Sequence, residues 1–488
     1  MSLLSRLFPV LFALLISVAS LPAAERPNIV WIVIEDMSAH FSCYGETTIQ
    51  TPNIDKLAAT GVKFTNAYVT APVCSTCRSA LITGMYQTSI GAHHHRSGRG
   101  EMKINLPSHV KLIPEYFQNA GYWTCNMGTP HGSPKIAKTD YNFEWDPSVY
   151  DSGDWSGRKR GQPFFAQIQL HGGKFRGGKN WSKRVTEKLG SVTDPADVNL
   201  PPYYPDDEVI RDDWAAYLDT VRWTDHEVGE LVARLEKENI RDNTVIFLIT
   251  DHGISHARGK QFCYQEGMHI PLIVNGPGLR PGTIRDDVVV HIDMAASSMA
   301  MAGIEIPDYL QSKDLLAEDY EPRDYVVCAR DRCDETVDRI RGVTNGRFKY
   351  IRNFYPDRPY LQPNAYKDGK EILIRLKELK AAGKLDKYQM LQMAESRPPE
   401  ELYDMQTDPW ELNNLVHDPY YSDMLRRMRG NLHEWIEKTG DLGAQPEGAM
   451  YDSDMAVYLN TIKKRRPERF EIIQRNIEQM KKWEAEGK

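Results

Sequence analysis

The sequence predicts an α/β protein: a layered domain built on a largely parallel central sheet, followed by a smaller C-terminal α+β subdomain with an antiparallel sheet. Three observations carry that expectation. The apolar runs at 28–34, 163–170 and 244–250 are continuous rather than alternating, as in strands buried on both faces. Helical patterns stand between them, the order expected of a parallel sheet with crossover helices. Past about residue 307 the strands shorten and meet at tight turns such as Asn345-Gly346.

The chain has 488 residues, enough for two or three domains. Residues 1–24 read as a signal peptide: Arg6, an apolar run from Leu7 to Ala19, then Pro22-Ala23-Ala24 before Glu25-Arg26. The run is short for a membrane span, so the expectation is a secreted or periplasmic protein with no stable span after cleavage. The layered domain is placed at 25–306, the subdomain at 307–445 and a charged helical tail at 446–488. With 60 basic and 67 acidic residues, the balance argues against nucleic acid as a partner. Seven cysteines is an odd count; export permits disulfides, and Cys328 with Cys333 is a candidate local pair.

In chain order, strand 28–34 precedes a helix opened by Thr51-Pro52 and closed by Gly61. A strand at 62–68 leads to a short helix after Val73. Residues 108–120 read as a helix with Ser108 as cap, and 122–127 as a strand. The stretch 212–238 carries Trp214, Leu218, Val221, Val228, Leu231 and Leu235 on one face, a long amphipathic helix whose stripe is core. Further strands fall at 270–274, 288–290, 325–329, 340–344 and 348–351. Residues 366–395, 420–439 and the last thirty or so read as helical, with Lys463-Lys464-Arg465-Arg466 as a solvated face.

Sites in open α/β sheets form at the carboxyl ends of strands. Here three apolar runs end in reactive types: Glu35-Asp36, His171 and Asp251-His252. A fourth stretch places Cys74 near the start of a short helix, with Arg78 one turn on and Gly84 at its end. Unpaired N–H groups and the helix dipole favour an anion there, so a nucleophile on that platform suits a negatively charged substrate. Cys74 and Cys77 also form C-x-x-C, compatible with a disulfide, half a metal site or a redox pair. Glu35, Asp36 and Asp251 offer oxygens suited to Ca²⁺ or Mg²⁺, which would offset substrate charge. His252 better suits softer metals and leaves zinc or manganese open. His93, His94, His95 and Arg96 read as a surface cluster or as a polar rim for substrate. The basic, glycine-rich 172–180, with Lys174, Arg176 and Lys179, reads as a surface loop or one wall of an anion site.

Cys74, Arg78, Leu81, Thr83 and Gly84 fit a known signature. The run resembles that of formylglycine-dependent sulfatases, with Thr76 where proline or alanine is expected and Cys77 where serine is usual. The resemblance covers roughly 27–302, with echoes in Leu402-Tyr403-Asp404, Asp408-Pro409, Glu411 and Asn414-Leu415; sulfamidase-like enzymes and bacterial polysaccharide sulfatases form the most similar branch. It implies an alkaline-phosphatase-like fold. It also implies that a maturation enzyme oxidises Cys74 to formylglycine. Ca²⁺, with Mg²⁺ or another divalent cation as the alternative, would be held by Glu35, Asp36, Asp251, His252 and that residue. Gly259-Lys260 is similar to the segment supplying a sulfate-binding lysine. Where the family has glycine, lysine, tryptophan, histidine, this chain has Gly128-Thr129-Pro130-His131, so Lys138 is favoured as a sulfate contact and His131 is the weaker candidate.

The expected function is therefore hydrolysis of sulfate esters, or sulfamate, on a sulfated glycan. A hydrated formylglycine at 74 would attack sulfur; Arg78, Lys138 and Lys260 would hold the sulfate. His171 is the expected general acid, assisted by His131. His93 to Arg96, Arg176 and His269 are expected substrate contacts. The alternatives are a phosphodiester or phosphonate hydrolase on the same fold, and an inactive secreted glycan-binding homologue.

Overall fold

The computed structural model describes residues 26–178 and 180–488, apart from the side chain of Phe175. The expected signal peptide and Lys179 lie outside the described residues. In order come β1 (Asn28–Ile34), α1 (Pro52–Ala59), β2 (Val62–Tyr68), α2 (Cys74–Thr83), α3 (Ile113–Asn119), β3 (Trp123–Met127) and β4 (Phe164–Leu170). Then follow α4 (Trp181–Leu189), α5 (Glu208–Lys237), β5 (Thr244–Thr250), the single turn α6 (Gln265–Met268), β6 (His269–Asn275), β7 (Thr283–Val290) and α7 (Asp293–Met301). The C-terminal part holds β8 (Val326–Arg330), β9 (Ile340–Thr344), β10 (Phe348–Asn353), α8 (Ala365–Asp368), α9 (Glu371–Ala381), β11 (Glu400–Asp404), α10 (Ser422–Thr439), α11 (Ala449–Arg465) and α12 (Phe470–Ala485).

The large sheet runs β3-β4-β1-β5-β6-β2-β7. Its pairings are parallel except at β6, which opposes both β5 and β2. β1 shows why its apolar run is unbroken: Ile29, Trp31 and Val33 enter one core, Val30, Ile32 and Ile34 the other. The first core packs under α2, α3 and α7; the second lies under α1, α5 and α9. The small sheet, β11-β10-β9-β8, is antiparallel and shares the first core together with Leu425, Met428, Leu432 and Trp435 of α10. Its β9–β10 hairpin turns through Asn345-Gly346, where Gly346 takes φ 91°. That core is continuous across residue 306.

Several local expectations need correction. Ser108 is not a helix cap: α3 starts at Ile113, with Pro114 in its first turn and the Glu115 carboxylate accepting the Leu112 N–H at 2.8 Å. The helical stretch placed at 366–395 breaks at Gly369 and ends after Ala381. Residues 400–404 form a fourth strand of the small sheet, hidden in sequence because it carries two glutamates. Cys328 and Cys333 are not paired; all seven cysteines are free thiols. Among the described residues no helix is long and apolar enough to cross a membrane.

β5 is the middle strand of the large sheet, and Leu248 is fully buried in it. Leu248→Ala should lower stability by about 2–5 kcal/mol through lost transfer energy and a residual cavity, read as a fall in the urea midpoint. A midpoint matching the parent protein would contradict that placement.

Candidate functional site

Parallel pairing of β4, β1 and β5 puts their carboxyl ends on one edge, with Ile34 level with Leu170 on one side and Thr250 on the other. The residues that follow converge there. Asp36 leaves β1 in the left-handed region, φ 51°, an uncommon conformation for a residue with a side chain. Its N–H donates to Asp251 Oδ1 at 3.1 Å, which ties the ends of β1 and β5 together. Gly173, after β4, comes so close that a Cβ there would stand 2.1 Å from the Asp36 carbonyl oxygen. This approach brings the next residue, Lys174, into the cluster.

Cys74 begins α2 and is 1 % exposed. Its Sγ lies 3.2 Å from His252 Nε2, 3.7 Å from Asp36 Oδ1, 2.9 Å from Lys260 Nζ and 3.5 Å from Lys174 Nζ. Arg78, one turn along α2, spans two carboxylates: its Nη2 is 3.1 Å from Asp251 Oδ2 and 3.2 Å from Glu35 Oε1. It also donates to Gln169 of β4. Glu35 takes Lys138 at 2.7 Å and Lys174 at 2.6 Å. Asp36 takes Lys260 at 2.9 Å and the Tyr366 hydroxyl at 3.1 Å.

Burial opposes ionisation of the Cys74 thiol, but the Lys174, Lys260 and Lys138 ammoniums outweigh it and bring the thiol down to about 6. The same contest holds Asp36 well below the usual carboxylate range, with Lys260 the largest opposing charge. It brings Asp251 to about 2, chiefly through His252 and Arg78. His252 is driven up to about 9: burial disfavours its charge, and Asp251 more than compensates. Cys77 behaves oppositely. Its thiol contacts His291 Nε2 at 3.2 Å, is free, and is pushed up by burial, so no Cys74–Cys77 disulfide forms.

Ligand atoms of Asp36, Cys74, Asp251 and His252 lie within 4.8 Å of one another. His252 Nδ1 can only donate to the Gly253 carbonyl at 2.8 Å, which leaves Nε2 facing the two carboxylates. Two buried carboxylates and an imidazole nitrogen, free to ligate once a cation displaces its proton, turn to one point and fit a divalent cation. Glu35 stands one step back from that group, its carboxylate taken up by Arg78, Lys138 and Lys174.

The structure thus gathers Glu35, Asp36, Cys74, Arg78, Lys138, Asp251, His252 and Lys260. His171 follows β4 and is exposed, and Lys174 is the residue of that segment that reaches Sγ. Arg176 pairs with Asp213 at 3.1 Å. His131 is 73 % exposed on the outer surface, 3.9 Å from Glu230, and is not brought into the cluster. His269 is tied to the Thr65 carbonyl at 2.8 Å between β6 and β2, a structural contact. His95 Nδ1 meets Ser75 Oγ at 2.7 Å, His94 lies 3.8 Å from Glu447, and His93 is buried against His94. Arg96 reaches Asp334 at 3.6 Å. Tyr366 and Gln169 were missed as site residues: neither type announces chemistry, and Tyr366 arrives from α8, some 330 positions from its partner. A partial signal existed for Lys174 in the basic run that holds it.

The chain is similar to known proteins over most of its length. Residues 27–304 match the family model described as Sulfatase, and 252–373 match one described as N-sulphoglucosamine sulphohydrolase, C-terminal. The chain is 32 % identical over 470 residues to an ulvan-active sulfatase of Formosa agariphila, covering 87 % of this chain and 77 % of that one. It is 25 % identical to the human N-sulphoglucosamine sulphohydrolase, over 88 % and 93 % of the two chains. A solved structure in complex with its substrate D-glucosamine-2-N,6-O-disulfate superposes with TM-score 0.60 at 19 % identity, covering 85 % and 98 %.

The electrostatics of the thiol are open to direct measurement. In unconverted protein freed of divalent metal, ultraviolet thiolate absorbance should rise with a midpoint near 6. It should belong to Cys74, because burial pushes Cys43, Cys77, Cys125, Cys328 and Cys333 up. Lys260→Met should move that midpoint toward the ordinary thiol value of 9.0. A midpoint unmoved in the variant would show that Lys260 does not set it.

Proposed function

The chain belongs to the sulfatase family and is an enzyme that hydrolyses sulfate esters, and from that premise we propose that its substrate is a sulfated carbohydrate attacked by position 74 as formylglycine. The observation that carries the reading is the convergence of Lys138, Lys174, Lys260 and Arg78 around a buried Cys74 at the head of α2. Relatives named for ulvan and for N-sulphoglucosamine support a glycan substrate.

Each residue then has a task. Lys138, Lys174 and Lys260 hold the tetrahedral anion, and as preformed donors in a buried site they favour the charge that grows on its oxygens. Arg78 holds Asp251 and Glu35 in place and keeps the start of α2 in register with the ends of β1 and β5. Asp36, Asp251 and His252 hold a divalent cation, Ca²⁺ by the preference of carboxylates for hard metals, with Mg²⁺ or another divalent ion as the alternative. That ion would supply Lewis-acid stabilisation of the sulfate oxygens. Formylglycine supplies a nucleophile whose second hydroxyl lets sulfate depart, which a plain serine lacks. Because Cys74 is buried, its maturation enzyme must meet it before the fold closes. His171, exposed just after β4, is the acid that protonates the leaving sugar oxygen. The apolar segment within 1–24 supports export, to the medium or the periplasm.

Cys74→Ala should lower sulfate release by about 10⁴-fold or more while the protein stays folded. Turnover retained in that variant ends the mechanism. His171→Ala should cost about 10²-fold on poor leaving groups and far less on activated aryl sulfates; an equal loss on both would remove it as the acid. Matched aryl sulfate and aryl phosphate esters separate this reading from a phosphohydrolase, since preferential phosphate release would overturn it.

A further inference from the structure

The basic end of α11 reads in sequence as a solvated face, and its residues lie beyond both matched family segments. The fold leaves that face exposed and sets it beside a cavity. The Asp454 carboxylate accepts the backbone N–H groups of Gly98, Arg99 and Gly100 at 3.2, 2.9 and 3.2 Å, and a guanidinium N–H of Arg332 at 3.0 Å. A buried carboxylate with four donors fixes α11 against the loop that carries His95, Arg96 and Arg99. Between the helix and that loop lies a cavity of about 350 Å³, the size of a small-ligand pocket.

Its walls are cationic. Arg96 and Arg99, 42 % and 39 % exposed, line one side, with Arg465 and Arg466 on the other and Tyr458 between them. Arg96 and Arg99 lean on Asp140 and Asp334, and Arg332 is neutralised by Glu447 and Asp454. Arg465 and Arg466 have no ion pair among the described residues, so their charge is available to a ligand. The cavity adjoins the catalytic cluster. The Arg96 N–H donates to Ser75 Oγ at 3.0 Å, beside Cys74, and Lys138 lies 2.7 Å from Glu35 and 3.6 Å from Asp140.

We propose that this cavity is a subsite for an anionic group, a carboxylate or a second sulfate, on the sugar next to the one that loses its sulfate, with Arg465 and Arg466 as its cationic wall. Guanidinium forks match both anions, and the body of Tyr458 offers a surface for a sugar ring. The inference rests on the sulfated-carbohydrate reading above and gives that substrate a second charge and a direction across the protein surface.

The test uses the full chain carrying Arg465→Ala and Arg466→Ala together, first shown to unfold at the same temperature as the parent. Three sulfated oligosaccharides are compared, whose neighbouring sugar carries a carboxylate, a second sulfate or neither. An aryl sulfate serves as reference. The expected result is a KM for an anionic-neighbour substrate, relative to the aryl sulfate, raised by about tenfold, the scale of losing a hydrogen bond to a charged group, with no such rise for the uncharged neighbour. A rise confined to the carboxylate or to the sulfate identifies the anion; a rise with both shows that charge alone is read. Equal ratios in parent and variant for every oligosaccharide, or the same rise with the uncharged neighbour, overturn the subsite. Calorimetric binding of the same oligosaccharides in a Cys74→Ala background reads the contact without turnover. Tight binding lost with the arginines supports the subsite even if no sulfate is ever released, a result that would sink the functional reading alone. Binding indifferent to the arginines overturns the subsite.

Discussion

The structure depends on charge balance in a largely buried place. Glu35, Asp36 and Asp251 set their carboxylates against Arg78, Lys138, Lys174, Lys260 and His252, and Lys174 and Lys260 reach the Cys74 sulfur. Isolated charges at such depth would cost several kcal/mol each. Paired, they hold, and the Lys174, Lys260 and Lys138 ammoniums beside Cys74 favour a negative charge at the centre. This is the physical reason for the low thiol value and for an affinity toward a tetrahedral anion.

The remaining fold keeps those charges within hydrogen-bonding distance. Three adjacent parallel strands end level with one another, so residues some 215 positions apart become neighbours without a long loop. α2 enters from the other face of the sheet edge and contributes both Cys74 and Arg78, one helical turn apart. Among the described residues, left-handed backbone at side-chain-bearing positions gathers here: Asp36, Arg96, Asp140, Gln261 and Asp334 all lie in or beside the site. Such conformations persist when surrounding contacts over-determine them, as at a preorganised anion site.

Much of this was legible in the sequence. Unbroken apolar runs followed by Glu35-Asp36 and Asp251-His252 gave the strands and the acidic edge, because burial on both faces leaves only the strand end free to be polar. The long stripe of α5 was equally plain, although the helix starts at Glu208 rather than Asp212. The failures share a cause: tertiary partners that sequence spacing does not encode. β11 opens with two adjacent glutamates, carries no apolar alternation, and is fixed by pairing with β10. Lys174 and Tyr366 become site residues only when the segment after β4 and the start of α8 reach Glu35 and Asp36. His131 has the residue type of a site histidine, but its loop carries it to Glu230 on the surface. Lys463 to Arg466 are exposed, as expected, but the contact of Asp454 with the loop at 98–100 that fixes their helix is a tertiary one of the same kind.

The account turns on what stands at position 74 in working enzyme. Peptide mass analysis of the fragment containing that position, taken from protein actively releasing sulfate, answers it most directly. An aldehyde there, captured by a hydrazine reagent in proportion to activity, is the predicted result. Full activity in protein whose position 74 is entirely free thiol would contradict the account.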